Sequence, residues 1–520
     1  MPLVFETARV TTTAAPERAD IACFVGYVKR RTSPLPQTAI ADLRAAGWID
    51  GPWRRDEEQI RSLEQLPVTV ESWESFDRLF DWRARPVSAS PAGEDAAAAT
   101  CATYLGAAAR RFFAQGGRRA IIVRVGDPWP FLESPGSRAA HRGTRIARLL
   151  PEVPEGALPF DPTDPRTWRG IQHLYGLPEA TLVCLPDLAD ACADDPPAAD
   201  STLPLVPPSE GFVECSHTES TPSPDNSLRA MRAPRCGVDG LRTFTQAIAS
   251  VKSFLVRRRR DTIFVGALPL IAAEAAARQP LDYLERERVL RAEGTSPGDA
   301  SSAFVQLGYP WIAARHSDDL PQLLEPPDGL LAGLVAAGAL ARGTFRSVAG
   351  TLLPTVIDTE PRASWGLESD SPWTRLARRV CLIARQPDGW ALQSDVTTSP
   401  DTAWRAGGVT RMLASLLRAA RATGEAEMFS GNGPELWTRV RRHLEALLTS
   451  YWREGGLGGT TPDEAFEVRC DRSTMTQADL DAGRLVARIV VLPAFAVEHI
   501  TVVLALSAAG QVESDVREVA

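Results

Sequence analysis

The alternation of short apolar strands with amphipathic helices constrains this sequence more than any other feature. Apolar runs such as "IACFVGYV" (21–28), "RAIIVRV" (119–125) and "DTIFVGA" (261–267) show no polar alternation. Such runs are typical of strands that are buried on both faces. Helical segments separate them, and strands joined through helices form parallel pairs. The sequence therefore predicts an α/β layer with a partly parallel sheet.

Local signals place several helix ends within this pattern. Ser72 is a predicted N-cap, and Trp73, Phe76 and Phe80 follow at helical spacing on one face. A second predicted helix, "AAAATCATYLGAAARRFFAQGG" (96–117), ends in a pair of glycines at 116–117 that fits a C-cap. These signals indicate helices that bury one apolar face against the sheet.

The character of the sequence changes after residue 370, where an α+β pattern replaces the α/β alternation. Asp388-Gly389 predicts a hairpin turn, and Pro434 predicts the first turn of a long helix. Two segments rich in proline, serine and acidic residues read as surface insertions. The predicted organisation is an N-terminal extended arm at 1–20, a middle α/β domain at 21–365 with insertions near 127–165 and 188–238, a C-terminal α+β domain at 366–498, and a C-terminal strand and tail at 499–520.

Charge and cysteine usage exclude some classes of protein. The chain has 57 basic and 65 acidic residues, a net charge of −8, which argues against direct binding of nucleic acid by bulk electrostatics. The eight cysteines form no CxxC pair. Cys215, His217 and Cys236 come nearest to a metal site, but their spacing matches no zinc module. We therefore expect neither a metal nor a cofactor.

No catalytic motif is recognisable. "GGLGG" at 455–459 lacks the lysine of a phosphate-binding loop and follows a helix, so it predicts a helix end and turn. GxSxG and HExxH are absent. Asp187 and Asp190 read as helix caps, and His173 as a surface or boundary residue. The segment "SDVTTSPDTAW" (394–404), which contains Asp395, reads as a turn with an N-cap before the next helix. The sequence predicts that the protein is not an enzyme.

The apolar stretch 485–510 is interrupted by Arg488, Pro493, Glu498 and His499. A central charge costs a membrane-spanning helix about 3 kcal/mol. Two short buried strands broken at the proline fit better, and the first 20 residues lack the pattern of a signal peptide. No membrane insertion is expected.

Several motifs, in chain order, resemble those of contractile tail sheath proteins. This family includes phage tail sheaths, R-type pyocin sheaths and the sheaths of extracellular contractile injection systems. The resemblance is carried by "GYPWI" (308–312), "EPPDGLLAG" (325–333), "AFEVRCD" (465–471) and "PAFAVEHI" (493–500). One family segment, WGaRT, is replaced by "LQSDVTTSPDTAW" (392–404).

The resemblance implies a structural role and a sheath-type fold, with an outer middle α/β domain at 21–365, an inner C-terminal α+β domain at 366–498 and extended terminal arms. Family members polymerise as hexameric rings around an inner tube and drive that tube by contraction. The implied partners are further copies of the chain, the inner tube protein, and baseplate and cap components. The implied location is cytoplasmic assembly, with release as an extracellular particle on lysis left open.

The resemblance also suggests which residues contact other subunits. Terminal arms that add strands to neighbours would use Leu3, Phe5, Val10, Ile500, Val502 and Leu504. The alternative for 499–506 is an ordinary core strand of its own domain. Arg439, Arg441 and Arg442 are candidates for the surface that faces the tube, with a solvated helix face as the alternative.

Two other functions remain open from the sequence. A sheath-like paralogue at the baseplate or cap end of the sheath would join one ring and form no long tubes alone. An α/β enzyme with an unrecognised site would bind a small molecule saturably.

Overall fold

A computed structural model describes most of the chain, and it divides into two units. The described residues are 18–50, 55–88, 99–151, 163–195, 227–272, 280–294, 296–363, 371–426, 432–494, 500–506 and 512–518. The larger unit comprises Asp20–Ala337 and Ser347–Gly407, and the smaller unit comprises Met1–Ala19, Gly338–Arg346 and Gly408–Ala520. The helix Asp328–Arg342 contributes residues to both units. The predicted domain boundaries stay predictions.

The described residues of the larger unit form seventeen strands and most of the helices. The strands are β1 Ile21–Tyr27, β2 Lys29–Arg30, β3 Pro67–Val70, β4 Phe80–Asp81, β5 Arg85–Pro86, β6 Thr100–Cys101, β7 Arg119–Gly126, β8 Leu182–Cys184, β9 Arg235–Cys236, β10 Ile263–Ala267, β11 Leu270–Ile271, β12 Val305–Tyr309, β13 Trp311–Ala314, β14 Leu324–Glu325, β15 Val356–Glu360, β16 Cys381–Gln386 and β17 Gly389–Leu392. The helices are Gln37–Ala45, Glu57–Ser62, Trp73–Leu79, Tyr104–Ala114, Ser137–Leu149, Leu188–Cys192, Ser227–Ala230, Val238–Arg258, Pro280–Arg286, Asp328–Arg342 and Pro372–Leu376.

An eight-stranded sheet forms the centre of the larger unit, in the order β17-β16-β12-β10-β8-β1-β7-β3. Its six inner strands run parallel, and the edge strands β3 and β17 run antiparallel to their neighbours. Every residue of β1, β8 and β10 is buried, as expected for strands covered on both faces. The predicted partly parallel sheet is confirmed.

Helix ends in this unit follow the local sequence signals. The Ser72 side chain accepts a hydrogen bond from the Ser75 amide at the start of Trp73–Leu79. Gly116 ends the helix Tyr104–Ala114 with φ of 99°, a left-handed conformation that favours glycine. The predicted start of this helix was wrong, because Thr100–Cys101 pair with β5 as a strand. Both predicted caps are confirmed, because capping depends on neighbours only a few residues away.

Two helices of the larger unit cross at very short range. A Cβ atom at Gly329 would lie 2.3 Å from the Ala108 carbonyl oxygen, and one at Gly333 would lie 2.8 Å from that of Phe112. The glycines therefore bring the helix Asp328–Arg342 against the backbone of the helix Tyr104–Ala114. The crossing lies next to β14, which comes just before the helix Asp328–Arg342 in the chain.

The described residues of the smaller unit combine helices with an antiparallel sheet. The sheet contains β18 Phe466–Arg469, β19 Leu485–Val491, β20 Ile500–Leu506 and β21 Val512–Glu518, in that order. The main helices are Gly407–Ala426 and Pro434–Arg453, followed by the short helices Pro462–Ala465 and Gln477–Asp481. Leu436, Val440 and Leu444 are buried on one face of Pro434–Arg453.

The apolar stretch 485–510 was predicted to form two strands separated by a proline, and the structure confirms this. β19 ends at Val491, Pro493 follows, and β20 begins at Ile500. Among the residues that the structure describes, no helix combines the length and apolar character needed to cross a membrane.

The arginine run "RRRRD" (257–261) is typical in sequence of a solvated helix end that leads into a strand. In the structure Arg259 is buried, and its guanidinium donates to the carbonyls of Leu177 at 3.0 Å and Ala180 at 3.1 Å. It also pairs with buried Asp261 at 3.0 Å. The interpretation was wrong for Arg259 because carbonyls about 80 residues away in sequence accept its hydrogen bonds.

Candidate functional site

The C-terminal sheet contains the predicted strand arm at 499–506. β20 lies between β19 and β21 and pairs antiparallel with both. Ile500, Val502 and Leu504 therefore occupy a central strand whose backbone is paired on each side within the chain. Leu3 and Phe5, together with Val10, lie outside the described residues. The inter-subunit role of all six residues stays a prediction.

Two strands of the same sheet lie at its edges. β18 and β21 each pair on one side only in the described sheet. An edge strand presents amide and carbonyl groups that can accept a strand from another chain. The edges of this sheet are therefore the candidate positions for strand addition.

The three candidate tube-facing arginines lie on the helix Pro434–Arg453. Arg439 and Arg442 are exposed and three residues apart, so they share a face away from the buried leucines. Arg441 is half-buried and lies 3.6 Å from Glu445 one turn on. The structure brings Arg439 and Arg442 together as an exposed basic face and separates Arg441 from them.

The "GGLGG" segment forms the turn after this helix. The Gly456 amide donates to the Tyr451 carbonyl at 2.8 Å, and the Gly458 amide donates to the Leu492 carbonyl at 2.8 Å. Gly455 has φ of 77°. The predicted helix end and turn are confirmed, and the loop amides are used to join the helix to the sheet.

An exposed apolar patch in the larger unit was not predicted. Ile357 and Leu352 are 64% and 52% exposed, and both flank the half-buried Trp390. The Trp390 indole donates to the Ile357 carbonyl at 3.1 Å, and the Leu353 amide donates to the Trp390 carbonyl at 2.7 Å. These bonds fix the apolar patch, defined here as Leu352, Ile357 and Trp390. Contiguous exposed apolar surface of this kind marks interaction sites.

A buried charge cluster lies beneath the helix Leu188–Cys192. Asp190 contacts Arg85 at 2.6 Å and Arg138 at 2.9 Å, and all three side chains are buried. Burial alone would raise the pKa of Asp190, but the two guanidinium groups outweigh it and leave the pKa below its ordinary value. The interpretation of Asp190 as a helix cap was wrong, because its charge neutralises buried arginines.

The helix Ser137–Leu149 is held mainly by arginines. Arg142 pairs with Asp194, and Arg145 donates to Glu133 at 2.8 Å. Together with Arg138, these residues repeat at spacings of four and three, so they share one face. That spacing in the sequence "SRAAHRGTR" was the signal that could have predicted a packed helix within 127–165.

Three other polar residues have structural roles that the sequence did not indicate. Asp395 is buried and accepts hydrogen bonds from the Gln306 side-chain amide at 2.9 Å and the Val348 backbone amide at 3.0 Å. His173 is fully buried, and burial lowers its pKa to about 4. Asp187 is buried and accepts from the Tyr27 amide instead of capping a helix.

No group of three or more His, Cys, Asp or Glu side chains within the described ranges could hold a metal ion. Cys236 is buried there, whereas Cys215 and His217 lie outside those ranges.

Comparison of the whole chain with known proteins points to one class of fold. No family model and no curated protein matches the sequence. Solved structures of contractile injection system sheaths and baseplates do match, so the fold is that of contractile sheath proteins. The predicted resemblance to contractile tail sheath proteins is confirmed at this level.

Three of these structures illustrate the similarity. The anti-feeding prophage (AFP) helical sheath in its contracted state has a TM-score of 0.50 and 17% identity, over 96% of this chain and 98% of that chain. The AFP baseplate in its contracted state has a TM-score of 0.54 and 16% identity, over 95% and 93%. The contracted PVC sheath complex of an extracellular contractile injection system has a TM-score of 0.50 and 16% identity, over 91% and 88%.

Proposed function

We propose that this protein is a structural subunit of a contractile sheath. It polymerises as hexameric rings around an inner tube and drives the tube by contraction. One observation carries the proposal: the similarity to the AFP helical sheath spans nearly the full length of both chains. A contraction of this kind is a rearrangement of rigid subunits to a lower-energy packing, so it needs neither a cofactor nor catalysis.

The proposed partners follow from this role. They are further copies of the chain, the inner tube protein, and baseplate and cap components, with no direct contact to nucleic acid and no membrane insertion. The particle assembles in the cytoplasm and is released on lysis. The larger unit keeps its fold during contraction because its buried parallel sheet is rigid.

Terminal arms link the subunits in this proposal. Residues 1–20, with Leu3, Phe5 and Val10, add to a neighbour's sheet as a strand, and the strand containing Ile500 and Val502 belongs to the sheet that receives such arms. Strand addition satisfies the free backbone groups of an edge strand.

Deleting residues 1–12 is expected to abolish polymerisation and to leave a folded monomer, because the deletion removes the added strand and no residue that the structure describes. Negative-stain electron microscopy of the full-length protein expressed alone should show hollow, striated cylinders with sixfold end views. Circular dichroism of the deletion variant serves as the folding control. Normal cylinders from the deletion variant would contradict the arm model, and monomers from the full-length chain call for co-expression with the tube protein.

The apolar patch is a proposed contact with a second copy of the chain. Ile357→Asp is expected to reduce the yield of polymer at least about tenfold, because it places a charge on an apolar contact that must be dehydrated on assembly. Val238→Asp is the matched control: Val238 is also exposed and apolar, at 49%, and lies elsewhere in the larger unit. Sedimentation of polymer measures both, and equal yields from the two variants would remove the patch from the interface.

The exposed basic face of Pro434–Arg453 is a proposed tube contact. Reversing the charge of Arg439 and Arg442 to Glu is expected to weaken sheath–tube association several-fold, with stronger effects at low salt. Tube-free polymers should form normally. Arg472→Glu, an exposed change in the same unit, is the control. Arg441 is left unchanged because it pairs with Glu445. Co-sedimentation of sheath with tube measures the effect. Normal extended particles from the double variant would contradict the proposed contact.

A second candidate is a sheath-like subunit that ends the sheath beside the baseplate. Two of the matched structures are AFP baseplates, with TM-scores of 0.51 and 0.54, which favours this alternative. Such a subunit should form single rings alone and should not elongate when the tube protein is added. Long cylinders in the same electron micrographs exclude it.

A further inference from the structure

Three carboxyl groups are buried together where helices of the larger unit meet. Asp187 precedes the helix Leu188–Cys192, Glu325 lies on β14, and Asp328 begins the helix Asp328–Arg342. We call these three residues the carboxyl cluster. All face the helix Tyr104–Ala114 or its crossing partner, and none is accounted for by the proposed sheath function.

Asp187 links two elements through its carboxyl group. Its Oδ2 accepts a hydrogen bond from the Tyr27 amide at 2.7 Å, and the Leu105 amide also bonds to the group. The space is made by Gly26, where a Cβ atom would lie 2.3 Å from Oδ2. Asp187 therefore joins β1 to the first turn of Tyr104–Ala114.

Asp328 lies where that same helix meets Asp328–Arg342. Its Oδ1 accepts from the Gly329 amide at 2.9 Å, whereas its Oδ2 is buried with no hydrogen-bond partner. The residue has no exposed surface. An ionised oxygen in such a place loses its hydration without compensation, so the neutral acid is favoured.

The charged groups nearby leave Asp328 without a counter-ion. Glu325 pairs with Arg111 at 2.5 Å. Arg85 faces Asp187 but is paired with Asp190. The remaining titratable group that faces Asp328 is Cys184 of β8, a buried thiol. Arg111 and Arg85 are therefore each paired with a carboxylate other than that of Asp328.

Burial raises the pKa of Asp328 to about 8, and the charge of Asp187 adds to the effect. Burial also raises the pKa of Asp187 to about 7. Near neutral pH the two residues therefore retain protons that exposed aspartates would have lost. Ionisation of both would place two like charges in an interior with no free cation to balance Asp328.

We propose that protonation of Asp328 holds the crossing of the helices Asp328–Arg342 and Tyr104–Ala114 closed, and that ionisation of Asp328 beside Asp187 loosens it. The crossing depends on close approach, because even a Cβ atom at Gly329 would lie 2.3 Å from the Ala108 carbonyl oxygen. The larger unit thus contains a proton-dependent helix junction whose stability decreases in alkaline solution. This property does not depend on the proposed sheath function.

The direction of the effect follows from proton linkage. The folded state has a raised pKa and so binds more protons than the unfolded state between pH 4 and pH 8. The stabilisation is fully present below the ordinary aspartate pKa of about 3.9 and is lost as pH rises through the folded value. Stability of the junction should therefore fall as pH rises from about 4 to about 8 and should change little above that.

Hydrogen exchange and infrared spectroscopy of the full chain test the proposal. After correction for intrinsic rates, amide opening in 329–336 should increase at least about tenfold from pH 6 to pH 9 in the native protein, since one pKa unit corresponds to tenfold. Asp328→Asn, which keeps an acceptor for the Gly329 amide, should show less than about a twofold increase. Glu58→Gln, an exposed change, should behave as the native protein.

The infrared band of a protonated carboxylic acid gives an independent readout. It should be present at pH 6, decrease towards pH 9, and be weaker in Asp328→Asn at pH 6. Asp187→Asn gives the same comparison if Asp328→Asn does not fold. Absence of the band at pH 6, or equal pH dependence of exchange in the native protein and the asparagine variants, would overturn the proposal.

Discussion

Alanine at Gly329 is expected to destabilise the larger unit by roughly 3 kcal/mol, whereas alanine at Gly143 is expected to stabilise it by about 1 kcal/mol. Both glycines lie inside helices, so the intrinsic helix preference favours alanine equally at each. At Gly329 the new Cβ would lie 2.3 Å from the Ala108 carbonyl oxygen and 2.5 Å from its Cα. A Cβ atom added at Gly143 would meet no atom within 4 Å other than those of its own helix backbone and chain neighbours.

The two stability changes differ in sign because Gly329→Ala forces backbone to move and Gly143→Ala does not. A contact with backbone cannot be relieved by a side-chain rotation, so the helix Asp328–Arg342 has to shift away from Tyr104–Ala114 and lose its buried contacts. Denaturant unfolding followed by circular dichroism measures both variants against the native chain. Gly333→Ala, near the Phe112 carbonyl, should also destabilise. Equal stability of Gly329→Ala and Gly143→Ala would show that the helices can separate without cost.

Much of the secondary structure was predictable because its causes are local. Ser72 caps a helix through an amide three residues away, and Gly116 ends one through its own backbone conformation. Pro493 likewise acts locally, because it lies in the break between β19 and β20. The fully apolar character of β1 predicted burial on both faces, and with the intervening helices this led to the parallel sheet.

The buried polar contacts were not predictable because their partners are distant in sequence. Asp190 meets Arg85 across 105 residues, and Asp187 meets the Tyr27 amide across 160 residues. A single sequence carries no periodicity that relates such positions. For that reason the same aspartates were interpreted as caps, the most frequent local role of aspartate before a helix.

The candidate assembly surfaces also combine features that are local in sequence, which could be predicted, with contacts between distant residues, which could not. The strand at 499–506 was predicted from its apolar run, but its pairing on both sides depends on β21, whose sequence "VESDVRE" is too polar to signal a strand. The apolar patch was missed because Ile357 and Trp390 come together through a hydrogen bond between segments 33 residues apart. Exposure of an isoleucine cannot be read from the residues beside it.

Replacing Asp190 by asparagine is expected to destabilise the larger unit by about 3–5 kcal/mol, the range for breaking a buried ion pair. In the native chain the Asp190 carboxylate lies 2.6 Å from Arg85 and 2.9 Å from Arg138. Asparagine preserves the shape of the side chain but removes its charge, so both guanidinium groups would remain buried without a balancing anion. Asp239→Asn is the matched control, because Asp239 pairs with Arg242 on an exposed helix surface. Loss of that exposed pair should cost no more than about 1 kcal/mol.

The pH dependence of the two proteins separates a loss of charge from a loss of packing. The folded pKa of Asp190 is lowered, so its contribution is present above the ordinary aspartate pKa and is lost as pH falls through the folded value. Denaturant unfolding of the native chain should therefore show acid destabilisation that the Asp190→Asn variant lacks. A variant that is destabilised in parallel with the native chain at every pH would indicate a packing defect, and one as stable as Asp239→Asn would show that the two arginines tolerate burial without the carboxylate. A charge-balanced core requires neither of these patterns, but a loss of stability in Asp190→Asn that is large at neutral pH and narrows towards acid.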